Sequence, residues 1–288
     1  MAYPPQILVQ TSSCPQYLLV PRCLAILPIQ EVDFAAKTKN ERVHLLRVDL
    51  LGLSSAIEDS KGRKRATHGK LWEVGSIETF QDVFVDCLKV HYLAFANAKE
   101  LHQDLTPNNL MFKRTDHASD SKATGILQDW DYVVDSDDQM RHRTGTMAFM
   151  ASDLLSDQSP PHLYRHDLES FFYILVWAAF NYDFDTKERL PMTHFALYHW
   201  NDAKLSACAR SKTEFLSDPE TKNRLFAYLP PKRQPLLPWI SSVWSLFWEA
   251  NISRTTNHEM PDAEADWDDE TEGGFITFES FTGALGRR

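Results

Sequence analysis

An apolar helical stretch leads into a run that no helix can absorb: Leu101-His102-Gln103-Asp104-Leu105-Thr106-Pro107-Asn108-Asn109, largely polar and broken by proline. Ahead of it, Phe80, Val83, Phe84, Cys87, Leu88 and His91 recur at helical spacing after Gly75. Ser76 is placed to cap that helix, which should end near Asn97. Behind the polar run come two short apolar stretches, Leu110–Phe112 and Gly125–Gln128, separated by a polar insertion and read as strands. A second helix, from Asp167, would bury Leu168, Phe171, Phe172, Leu175, Val176 and Ala179, and a third is expected from Trp239 to Trp248. The order of helix, loop, two strands and further helices implies an α+β chain whose polar loop lies between a buried helix and a sheet.

The first 55 residues are less decided. Short apolar runs (Ile7–Val9, Tyr17–Val20, Leu24–Leu27, Val43–Leu53) suggest strands, although Glu31–Leu46 reads equally well as a helix. Ser54–Lys70 reads as a polar loop and its basic run, Lys61–Arg65, as a solvated face. Asn257–Glu272 is acidic and expected to be loose, before a last apolar piece from Phe275 to Leu285. The expected organisation is thus a β-containing first part (1–55), a mainly helical body (56–256) and an acidic C-terminal segment (257–288) ending in a short helix or strand.

A formal net charge of -10 argues against a nucleic-acid binder, which would gather basic residues on one face. Cys14, Cys23, Cys87 and Cys208 show no C-x-x-C spacing, so neither a zinc site nor a disulfide framework is indicated. Cys87, on the apolar face of its helix, reads as a small hydrophobe. The N-terminus lacks the pattern of a signal peptide, and no run of about 18 apolar residues offers a membrane span. A soluble intracellular protein, cytoplasmic or nuclear and without a membrane partner, is expected; its oligomeric state is not legible.

The chemistry suggested by the polar run is phosphoryl transfer. That reaction needs aligned oxygens and a metal to neutralise phosphate charge, and little covalent help. Asp104 offers a carboxylate for the proton of an attacking hydroxyl, and Asn109 an amide oxygen for magnesium five residues later. Ile126-Leu127-Gln128-Asp129 ends an apolar strand in a second carboxylate, delivered to the edge of a cleft. Taken singly, each piece has a plainer reading: Asp104 as a cap, Asn109 as a turn residue, Trp130 as core packing and His102 as a structural support.

Four motifs in order outweigh that plainer reading. LHQDLTPNNLMF resembles the catalytic loop H-R-D-L-x-x-x-N of protein kinases, and Gln128-Asp129-Trp130-Asp131 a variant of D-F-G. Arg143-Thr144-Gly145-Thr146-Met147-Ala148-Phe149-Met150-Ala151-Ser152-Asp153 resembles the end of an activation segment, with Ala151-Ser152-Asp153 in place of A-P-E. Tyr164-Arg165-His166-Asp167-Leu168-Glu169-Ser170-Phe171-Phe172-Tyr173 resembles the start of the central helix of the large lobe. Together they are most similar to the fungal-type protein kinases, over about Leu71 to Ala179.

The resemblance implies a protein-kinase-like two-lobed fold, with a reduced β-containing N-lobe and a mainly helical C-lobe. It implies ATP- and Mg2+-dependent transfer to Ser or Thr of a protein substrate, with Asp104 as the base and Asn109 and Asp129 as metal and nucleotide ligands. Asp167 would accept backbone N–H groups of the catalytic loop, and Asp153 would pair with a downstream arginine such as Arg254. Thr144 and Thr146 are expected to pack the substrate loop rather than carry phosphate.

Departures qualify the activity. Gln103 stands where kinases place an arginine that reads a phosphorylated loop, so loop phosphorylation is not the expected switch. No G-x-G-x-x-G occurs, the first glycine being Gly52, and Lys37 has an A-x-K look with no glycine loop before it. The N-lobe therefore reads as truncated or degenerate, and a pseudokinase or scaffold is the alternative function. A small-molecule phosphotransferase would share the H-x-D-x-x-x-x-N loop and a D-W pair, yet lacks the RTGT and FMA motifs. Near the C-terminus, Asp268, Glu270, Glu272, Gly273 and Glu279 fall at calcium-loop spacing. Glu is a poor ligand at two of those places and Pro261 interrupts the entering helix, so an ordinary acidic loop is expected there.

Overall fold

The Oγ of Ser76 accepts the Thr79 N–H at 3.1 Å and starts helix α1, Ile77–Ala98. The helix stops because Lys99 turns left-handed (φ 57°), its N–H reaching Phe95 O at 2.9 Å while Glu100 N–H returns to Ala94 O. Both ends fall where the sequence places them. In this computed structural model the described residues are 23–25, 67–114, 122–130, 146–156, 159–191, 195–202, 204–259 and 267–287.

The two anticipated strands form and are longer than expected: β3, Leu110–Arg114, pairs antiparallel with β4, Ala123–Gln128. Two further strands flank them, β1 (Cys23–Ala25) on β4 and β2 (Thr67–Lys70) on β3, giving the antiparallel order β1-β4-β3-β2. Thr67–Lys70 is thus a strand and not the end of a loop. Its polar composition hides this, because backbone pairing to β3 supplies what an apolar pattern would otherwise have to. Apart from β1, the expectations for residues 1–55 lie outside the described residues.

The sheet lies against α1 through a close approach at Gly125. A Cβ there would come within 2.4 Å of Val83 O and 2.7 Å of the Asp86 Cβ, so only glycine lets strand and helix touch. Asp86 completes the join by accepting the Gly125 N–H at 3.0 Å.

Helix α2, Tyr164–Asn181, is buried on every side but one residue, Trp177, which is why its apolar pattern runs around the cylinder and not along a stripe. Phe171 meets Phe84 of α1 edge-on, and Phe172 stacks between Phe215 and Phe247. A short hairpin follows, β5 (Tyr182–Asp183) with β6 (Glu188–Arg189), and then α3 (Phe195–His199), α4 (Leu205–Ser217) and α5 (Pro219–Ala227). Helix α6, Leu237–Glu259, extends well past Trp248 at its C-terminal end, and α7, Phe278–Ala284, settles the last apolar piece as a helix. The described residues are α+β, a small antiparallel sheet on a larger helical body. No helix among them is long and apolar enough to cross a membrane.

Candidate active site

The polar run of 101–109 is held from below by one carboxylate. Asp167, fully buried in the first turn of α2, accepts the backbone N–H of His102 at 2.8 Å and of Gln103 at 3.2 Å. Gln103 is left-handed (φ 65°), the conformation that turns two successive N–H groups toward the same carboxylate. A non-glycine residue there costs about 1–2 kcal/mol, offset here by the paired bonds to Asp167. Two imidazoles complete the shell, His91 Nε2 at 2.7 Å and His162 Nε2 at 2.8 Å. Burial alone would raise the Asp167 carboxyl, but His162 and His91 outweigh it and hold the group well below the usual carboxylate range.

His102 supports the loop from a second direction. Its Nε2 lies 2.7 Å from Gln128 O, which accepts only, so that nitrogen carries the proton. Burial lowers its pKa to about 4, and the ring sits 4.9 Å from that of Trp130. A neutral, packed imidazole with an occupied N–H is a strut between the loop and β4, not a proton shuttle. Trp130 is itself buried, its Nε1 donating to Leu127 O at 3.2 Å.

Above this base Asn109 is tied to the backbone of Asp104, and Asp129 lies within electrostatic reach of the Asp104 carboxylate. Asn109 Nδ2 donates to Asp104 O at 2.8 Å, spanning the loop, and Gln128 N–H donates to Asn109 O at 2.9 Å, tying the loop to β4. Asp104 Oδ1 accepts the Thr146 N–H at 3.2 Å. Burial raises the Asp104 pKa; the Thr146 N–H opposes this, and the charge of Asp129 adds to the rise, which places the two carboxylates within electrostatic reach. Asp129 is exposed and left-handed (φ 62°) at the end of β4.

The Asp129 carboxylate and the Asn109 amide oxygen are hard donors of the kind magnesium takes, and the Asn109 amide nitrogen, turned to Asp104 O, leaves the oxygen as the end that could ligate. They fit a cation that keeps water or phosphate as its other ligands. No group of three or more His, Cys, Asp or Glu side chains is gathered for a metal among the described residues.

Asp153 does pair with a downstream arginine, but this is Arg165 and not the suggested Arg254. It pairs with Arg165 Nη2 at 2.8 Å and His166 Nε2 at 3.1 Å, while Arg254 is taken by Glu272. Glu272 also reaches Arg165 Nη1 at 2.9 Å, so it stands between the two guanidinium groups and intercepts Arg254. Burial pushes the Asp153 carboxyl up, but His166 and Arg165 prevail and hold it far below its ordinary range. The same contacts remove the calcium-loop reading: Glu272 is 7% exposed and committed to arginines, while Asp268 accepts the Glu270 N–H at 2.9 Å. Residues 260–266 of the acidic segment expected to be loose lie outside the described residues. A cavity of about 140 Å3 beside this network is lined by Asp153, Arg165, Arg254 and Glu272, already paired with one another, and by Glu169, which accepts from Ser152 and Tyr173; it is separate from Asp104.

Sequence reasoning missed His91, His162, Glu169 and Lys212. His91 alone left a signal, a titratable ring on an otherwise apolar helix face that needs a buried partner. Glu169 accepts the Ser152 N–H at 2.7 Å and the Tyr173 hydroxyl at 2.5 Å, which nothing in the local pattern announces.

Residues 66–179 match the fungal protein kinase family model, a span that contains the loop, both central strands, residues 146–153 and nearly all of α2. No curated protein and no solved structure matches the chain.

Proposed function

Because residues 66–179 match the fungal protein kinase family model, we propose an ATP- and Mg2+-dependent protein kinase acting on Ser or Thr, in a two-lobed fold. The observation that carries this reading is the loop held by Asp167, which sets Asp104 between the Thr146 N–H and the charge of Asp129, with Asn109 fastened to its backbone.

In that reading Asp104 orients a substrate hydroxyl and takes its proton as the hydroxyl oxygen bonds to the γ-phosphorus and the bond to the nucleoside diphosphate breaks. Its raised pKa makes it a better acceptor than an exposed aspartate. Asn109 and Asp129 would hold magnesium, which when bound supplies charge neutralisation at the phosphates. Thr146 fixes the rotamer of Asp104 through its N–H, and the turn it begins faces the protein substrate.

The test is phosphate transfer from labelled ATP and Mg2+ to a protein acceptor, with Asp104→Asn and Asp129→Ala beside the wild type. Loss of about 10²–10⁴ in rate in Asp104→Asn, with the fold intact, is expected. A second reading, nucleotide-free scaffolding, is favoured by the lack of any G-x-G-x-x-G in the chain. Wild type that shows neither transfer nor an ATP/Mg2+-dependent thermal shift would establish the scaffold and overturn the kinase.

A further inference from the structure

Lys212 is fully buried in the middle of α4, among the most enclosed large side chains of the described residues. An ammonium taken out of water needs compensation, commonly a carboxylate in contact. Lys212 has no carboxylate within ion-pair distance among the described residues. Its Nζ donates to Met147 O at 2.7 Å and also to Met150 O, and it lies 4.3 Å from the centre of the Tyr173 ring. The Tyr173 hydroxyl in turn donates to Glu169, whose charge also favours the ammonium.

Both carbonyls belong to one turn. Phe149 N–H and Met150 N–H return to Thr146 O at 2.8 and 3.2 Å, closing residues 146–150 on themselves. The turn's opening residue, Thr146, gives the N–H that caps Asp104. Its far side is held by Glu169 through the Ser152 N–H. Cys208, one helical turn before Lys212, has its thiol 3.7 Å from Met147 O as well. Helices α2 and α4 therefore grip the same six or so residues from two directions, with one cation at the point where the carbonyls converge.

We infer that Lys212 is a positioning residue of the site: its ammonium gathers the Met147 and Met150 carbonyls and thereby sets the turn that caps Asp104 and meets the protein substrate. A lysine kept only for packing would be matched by a methionine of similar length. The two carbonyl acceptors make the charged end the part that matters; the Cys208 thiol also reaches Met147 O, at 3.7 Å, but it brings no positive charge. This assignment rests on the kinase reading for its catalytic consequence, and on geometry alone for the turn.

The experiment compares the wild type with Lys212→Met and Lys212→Gln, each checked by circular dichroism. Amide hydrogen exchange is followed at Phe149, Met150 and Ser152, together with phosphate transfer to a protein acceptor. Expected is exchange about 10–100-fold faster at those three amides, the loss of a charge-assisted bond, with α4 amides outside the turn unchanged. In an active protein, kcat should fall and KM for the protein acceptor rise while KM for ATP stays within two-fold or so. Unchanged protection at the three amides in either folded variant would overturn the inference. If neither variant folds, the wild type decides: these amides should be protected like those of α4, and exchange as fast as a free loop refutes the clamp. An inactive wild type with the exchange result as expected would sink the kinase reading and leave the clamp standing.

Discussion

Replacing Asp167 by alanine should cost about 3–5 kcal/mol, far more than its size suggests. The carboxylate accepts four bonds, from His102 N–H (2.8 Å), Gln103 N–H (3.2 Å), His91 Nε2 (2.7 Å) and His162 Nε2 (2.8 Å). His162 is partly exposed (16%) and can turn to water, but the other donors stay covered. Each buried donor left without an acceptor costs about 1–3 kcal/mol, and the relief of no longer burying a carboxylate offsets part of the sum. The left-handed Gln103 loses its compensation at the same time. Urea unfolding followed by tryptophan fluorescence, with an unchanged m-value, measures the loss. Acid adds an independent arm. The folded-state pKa of Asp167 is depressed, so its stabilisation is fully present above the unfolded carboxylate value of about 4 and fades as pH falls toward the folded one. Asp167→Ala should therefore lose stability less steeply below about pH 4 than wild type does. A measured loss under about 1 kcal/mol, or parallel acid limbs, would show that the loop does not depend on this carboxylate.

Gly125→Ala places a methyl group 2.4 Å from Val83 O, so helix and strand must part; a loss of about 3 kcal/mol in chemical denaturation is expected, and none would refute the close approach. Glu272→Gln leaves Arg165 with Asp153 but strips Arg254 of its partner. Because Arg254 is a third exposed, the expected cost is about 2–4 kcal/mol, with faster proteolysis of residues 267–287 as the local readout. The carboxyl of Asp104, titrated by NMR in the metal-free protein, should have its midpoint above the ordinary value of about 3.9 and drop in Asp129→Asn. A midpoint that ignores Asp129 would separate the two carboxylates.

The local order of this chain was legible because it rests on short-range rules. Ser76 has the side chain of a cap, α1 and α2 carry their apolar residues at the helical period, and Pro107 with two asparagines forbids a helix through the site. The sequence likewise sets Asp104 and Asn109 five residues apart in one polar run and Asp129 directly after the second strand, and the strand bounds agree with that order. What a sequence cannot carry is which distant group satisfies a buried one. Thr67–Lys70 is a strand only because Met111 to Arg114 lie alongside it. Asp153 meets Arg165 and not Arg254 only because Glu272, arriving from the far end of the chain, stands between the arginines. The His91 and His162 bonds to Asp167, and the carbonyls gathered by Lys212, belong to the same class. Local propensity acts within a few residues and is written in them; burial of a charge is settled by whatever the fold brings beside it, and only the tertiary structure makes that choice.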